Sequence, residues 1–188
     1  MTTETTAALP EWLAALAYHL GDQDYRLAAV SAAQIGANLE PVRHRFAVML
    51  MDEQTAILAS LDVSNDLRSQ VIAACGRVRD LHASATAADS PLWSVAHDHA
   101  VDAGREAEAA TEPWSQRGAA KWAAQAAQWA AAWNREYPGV PSSLAAAAES
   151  VAWSAALPHR DTIARTQILC NKALLGYAER LIDMIAAA

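Results

Sequence analysis

Residues Gly118–Trp133 read GAAKWAAQAAQWAAAW, and this stretch constrains the fold more than any other. Alanine is the strongest helix former. Trp122, Trp129 and Trp133 are spaced by seven and four residues, and Tyr137 follows four later. At about 100° per residue all four fall on one helical face. The pattern predicts a helix from near Ser115, a suitable N-cap, to the break at Tyr137-Pro138-Gly139. Such a helix has about 22 residues and is roughly 33 Å long. Its small faces let neighbouring helices come close, and its indoles fill wider gaps. We therefore expect the other helices to pack around it. Indoles not used up in a core form a docking face, so Trp122, Trp129, Trp133 and Tyr137 are also the candidate partner or ligand face.

The rest of the chain supports an all-α fold. Hydrophobic residues make up 53% and charged residues 19%, which is too apolar for a disordered chain. Seven glycines and seven prolines leave room for long helices, and no stretch alternates with the period of a strand. A length of 188 residues suits one domain. We expect a single-domain bundle of seven or eight helices over residues 9–188, behind a flexible tail at 1–8. Besides the central helix, the expected helices are Pro10–Leu20, Asp22 or Gln23 to Ile35, Pro41–Leu61, Ser64 to His82 or Ala85, Ser90–Ala110, Ser142–Leu157 and Thr162–Ile185. Ser64, Ser142 or Ser143, and Asp161 or Thr162 are their expected N-caps. If the bundle divides, SATAADS at 84–90 is the expected place.

Charge and cysteine content narrow the function. Fourteen Lys and Arg against 21 Asp and Glu give a net charge of −7, which argues against a nucleic-acid partner. Arg43-His44-Arg45 is one short basic cluster at a helix start. No helix has the Lys/Arg-rich polar face of a membrane-surface helix. No leader-like n-region and h-region are visible, so the expected location is cytoplasmic. Cys75 and Cys170 sit in apolar helical patterns and read as buried thiols.

His97, Asp98, His99, Asp102 and Glu106 form the one dense polar constellation. His99 and Asp102 share a helical face, as do Asp98, Asp102 and Glu106, and such spacing suits one side of a divalent metal site. His97-Asp98 resembles the metal-binding pair of HD-type phosphohydrolases, which also need further histidines and a distal aspartate. Glu53, His82 and His44 are the possible donors from other helices. The competing reading is a solvated acidic face steadied by Arg105. Leu67, Val71, Ala74, Cys75, Val78 and Leu81 form the core stripe of the Ser64 helix, and His82 continues it as a half-buried residue that favours the end of the helix dipole. Glu53 reads as a carboxylate at the margin of an apolar stripe, and Gln167 with Asn171 as a hydrogen bond between helices. No Gly-x-Ser-x-Gly, phosphate-cradling loop or Cys-x-x-Cys occurs.

The expected function is a non-enzymatic interaction module of the inhibitor, immunity or adaptor type. It binds another protein, or a second copy of itself, without a cofactor. The alternative is a metal-dependent hydrolase or ligand-binding bundle centred on His97-Asp98-His99 and Asp102.

Overall fold

The computed structural model describes residues 12, 13, 16, 17, 20, 38–135, 142–159 and 162–188. Among them every regular element is a helix: α1 (Glu40–Ser60), α2 (Asn65–Ala83), α3 (Leu92–Ala109), α4 (Trp114–Ala131), α5 (Ser143–Ala156), a 3₁₀ turn (Leu157–His159) and α6 (Ile163–Ala186). From Glu40 onward the described residues form six α-helices, against the seven or eight expected for the chain. The tail expected at 1–8, the helix expected at Asp22–Ile35 and most of the one expected at Pro10–Leu20 lie outside the described residues. Within the first, Trp12, Leu13, Leu16 and Ala17 are helical, and Leu13 and Leu16 are fully buried.

Side-chain capping sets several of these starts. Ser64 Oγ accepts from the Leu67 N–H, Ser142 Oγ from Ala145 and Thr162 Oγ1 from Arg165, each satisfying a first-turn donor that has no helical partner. The central helix begins differently. Pro113, not Ser115, precedes its first residue, so the start is held by a fixed φ rather than by a hydroxyl.

Helix α4 is the hub. It packs against α1, α2, α3, α5 and the 3₁₀ turn. Its buried residues are Ala119, Ala120, Ala123, Ala124, Ala126, Ala127, Ala130 and Ala131, with no larger side chain among them. Methyl-only faces bring the backbones together. A Cβ placed on Gly104 of α3 would lie 3.6 Å from the Ala124 Cβ. The indoles Trp122 and Trp129 occupy the margins and are only partly buried. Larger apolar groups from the neighbours complete the core. Val42, Phe46, Leu50 and Met51 come from α1, and Leu67, Val71, Cys75 and Val78 from α2.

A buried chain of two hydrogen bonds crosses this core. Gln54 Nε2 of α1 donates to Ser154 Oγ of α5 at 2.8 Å, and that hydroxyl donates to the Ala119 carbonyl of α4 at 2.9 Å. At the periphery, Glu53 pairs with Arg180 of α6 at 2.9 Å, which explains a carboxylate on the α1 stripe. One expectation for α6 is corrected. Gln167 and Asn171 bond to each other within α6 at the surface, not across helices.

The 84–90 connection is tied down. Thr86 N–H donates to the Leu81 carbonyl, Trp93 Nε1 to Ala87 and Asn134 Nδ2 to Ala88. Helices α2 and α3 on either side pack on each other and on α4. No described helix is long and apolar enough to cross a membrane.

Candidate functional site

The two ends of α4 carry the chemistry-bearing side chains. At its N-terminal end, Trp114 is 53% exposed. Trp114, Arg117, Lys121, Trp122 and Gln125 line one wall of a surface cleft of about 320 Å³, closed on the other side by Ala107, Glu108 and Leu157. The helical repeat places these residues together, since 114, 117, 118, 121, 122 and 125 form one face. The cations are steadied from α3: Lys121 Nζ reaches Glu108 Oε1 at 2.8 Å, and Arg117 donates to the Glu108 and Ala110 carbonyls. The Lys121 ammonium holds the Glu108 carboxyl below its usual range. Trp122 stacks on Trp153 of α5 with ring centroids 6.0 Å apart.

The expected four-residue aromatic face is therefore split. Helix α4 ends at Ala131, where the Ala132 N–H turns back to the Gln128 and Trp129 carbonyls. Trp133 lies beyond that end and is buried. Tyr137 lies outside the described residues. Trp122 and Trp129 remain as half-buried rim residues, and Trp114 joins them.

Trp133 enters a buried cluster with His44, His82 and Trp93. Its ring meets His44 edge-on at 4.9 Å and Trp93 at 5.6 Å, and Trp93 lies 4.8 Å from His82. Arg43 closes the cluster. Its guanidinium sits 4.6 Å over the Trp133 ring and donates to the Trp133 carbonyl at 2.8 Å. The buried Arg43 Nε and Trp133 Nε1 donors have no hydrogen-bond partner among the described residues.

The histidine tautomers follow from the contacts. His82 Nε2 lies 3.0 Å from the Ala130 carbonyl, so that nitrogen carries a hydrogen. Burial pushes the His82 pKa down to about 3, so the ring is neutral and Nδ1 is an acceptor. His44 Nδ1, 2.9 Å away, must then be the donor. The His44 pKa is lowered as well, first by burial and then by Arg43 against the opposing pull of Glu40. His82 is thus a neutral core residue, and the helix-dipole reading, which needs an imidazolium, is corrected. His44 lines a cleft of about 610 Å³ beside Pro41, Arg45 and Val48.

Stability should fall on mild acidification because of this pair. The unfolded His82 takes up a proton near its ordinary pKa of 6.5, whereas the folded one does so only near 3. Between these values the unfolded state binds more protons, so each pH unit lost costs up to about 1.4 kcal/mol. Urea unfolding at pH 7 and pH 5 checks this. The expected difference is about 2 kcal/mol in favour of pH 7. An equal or higher midpoint at pH 5 would contradict it.

The polar constellation of α3 does not gather. His97 is half-buried against Asp98 at 3.3 Å, Asp98 and His99 are exposed, and Asp102 pairs with Arg105 at 3.1 Å. Glu106 borders a different cleft with Asp66 and Glu112 at the start of α2. Among the described residues no three His, Cys, Asp or Glu side chains converge as a metal site. Burial raises the Cys75 thiol to about 12 and Cys170 to about 11, so neither is a nucleophile at neutral pH.

Sequence reasoning did not bring Arg43, His44, His82, Trp93 and Trp133 together. Its one signal was His82 continuing the α2 core stripe. Comparison with known proteins gives no match: no protein-family model, no curated protein and no solved structure is detectably similar to the chain.

Proposed function

We propose that the chain is a non-enzymatic helical module that binds another protein through the tryptophan-edged cleft at the start of α4. The observation that carries this reading is the all-alanine buried face of α4. The fully buried contacts of that helix with its neighbours are made by methyl groups, and its larger side chains lie at the margins. Trp114 stands 53% exposed beside Arg117 and Lys121. Tryptophan and arginine are the residues that most often dominate binding energy at protein interfaces. A surface of net charge −7 with a locally basic, aromatic cleft selects a partner that presents an apolar side chain next to a carboxylate. Inhibitor, immunity and adaptor proteins all work in this way.

The test is affinity capture from the native host followed by a titration with the captured protein. Trp114→Ala is expected to weaken binding by about 2 kcal/mol or more, roughly thirtyfold, as for a hot-spot residue. Its far-UV circular dichroism should match that of the parent, so that the loss reads binding rather than folding. Unchanged affinity in Trp114→Ala and in Lys121→Ala would end this assignment of the cleft.

A further inference from the structure

Helix α6 carries a second apolar stripe besides the face it buries; Ile182 of that stripe packs on the margin of the core and the rest of it is exposed. Thr166, Cys170, Tyr177, Leu181 and Ile185 face the core, where α6 packs on α5 and α1. Ala164, Ile168, Leu175, Ile182 and Ala186 are spaced by four, seven, seven and four residues. At about 100° per residue they lie within an arc of about 40°, centred about 135° from the buried face. Ile168 is 66% and Leu175 50% exposed, and Ile182 is half-buried. An apolar residue repeating every seventh position supplies one of the two seam positions of a helix that pairs with another helix.

Charge along the border of this seam specifies the partner. Arg165 and Lys172 lie on one border in the N-terminal half, with Glu179 and Asp183 on the same border in the C-terminal half. Lys172, Glu179 and Asp183 form no ion pair with any other described residue. We infer that α6 pairs antiparallel with α6 of a second copy of this chain, about a two-fold axis at Leu175. In that arrangement Leu175 meets its own copy, Ile168 meets Ile182, and Ala164 meets Ala186. Antiparallel packing pairs a border with itself in reverse order, so Lys172 of each copy comes within one residue of register of Glu179 of the other. Parallel packing would set this border against the uncharged border of Gln167 and Asn171 instead, with no ion pair gained. The self-complementarity is what a two-fold interface requires.

Sedimentation velocity of the full chain from about 1 µM to about 1 mM, the range of weak to moderate dimers, reads the association directly. The expected result is a concentration-dependent dimer. Leu175→Glu should be monomeric with unchanged far-UV circular dichroism, because Leu175 supports no core contact that its exposure would hide. Lys172→Glu should weaken the dimer at least tenfold, and Lys172→Glu with Glu179→Lys should restore it. On mild oxidation Leu175→Cys should form an interchain disulfide, whereas Ile163→Cys, exposed but off the seam, should not. A monomer at every concentration overturns the inference. So does a dimer that Leu175→Glu leaves intact, or equal cross-linking at 163 and 175.

Discussion

Trp93→Ala is expected to lower the free energy of unfolding by about 3–5 kcal/mol, the range for truncating a buried tryptophan. Trp93 is 1% exposed and contacts the His82 and Trp133 rings from α3. Its Nε1 donates to the Ala87 carbonyl at 3.0 Å, so the indole also anchors the connection between α2 and α3. Truncation leaves a void beside a buried neutral imidazole and frees that carbonyl. Water entering the void would solvate His82 and raise its pKa toward the ordinary value, weakening the pH dependence described above. Urea unfolding at pH 7 and pH 5 on the variant measures both effects. A loss below about 1 kcal/mol, the level of an ordinary substitution, would show that the cluster is not a structural keystone.

Ala127→Leu tests the opposite failure, overfilling. Ala127 has no exposed surface and belongs to the methyl face through which α4 meets its neighbours. Leucine is nearly as good a helix former as alanine, so helix propensity does not confound the result. The added atoms have no space unless α4 moves away from its neighbours, which costs about 1–3 kcal/mol and separates other packed pairs as well. Ala109→Leu, at an exposed position near the end of α3, is the control and should stay within about 0.5 kcal/mol of the parent. A neutral Ala127→Leu would mean that close approach is not what the alanine face provides.

Much of the fold was legible from local pattern. The caps at Ser64, Ser142 and Thr162 and the α2 stripe Leu67, Val71, Ala74, Cys75, Val78 depend on neighbours a few residues away in sequence. The central position of α4 was legible from its alanines. Its C-terminal end was not, because the i,i+4 spacing of Trp129 and Trp133 continues past the last helical residue. Periodicity cannot distinguish a continued helix from a chain that turns to bury one ring. Trp133 turns because His44, His82, Trp93 and Arg43 offer it a site. Those partners come from three other helices, and His44 and His82 alone are 38 positions apart. The candidate cleft was half legible: Trp122 was named, whereas Trp114 stood just before the expected cap and outside the spacing that drew attention to the others.

The Gln54–Ser154–Ala119 contact has a consequence for uniqueness. Alanine faces are smooth, and two smooth cylinders can slide or rotate past one another with little change in contact area. A bundle built on such faces has many alignments of nearly equal energy. Gln54 is fully buried, so any alignment that separates it from Ser154 strands an amide in an apolar interior, at a cost of about 1–3 kcal/mol. Because the Ser154 hydroxyl also engages the α4 backbone, one misplaced helix penalises the positions of all three. A single amide and a single hydroxyl thus act as an indexing pin, choosing one arrangement among many that the methyl groups alone would leave degenerate.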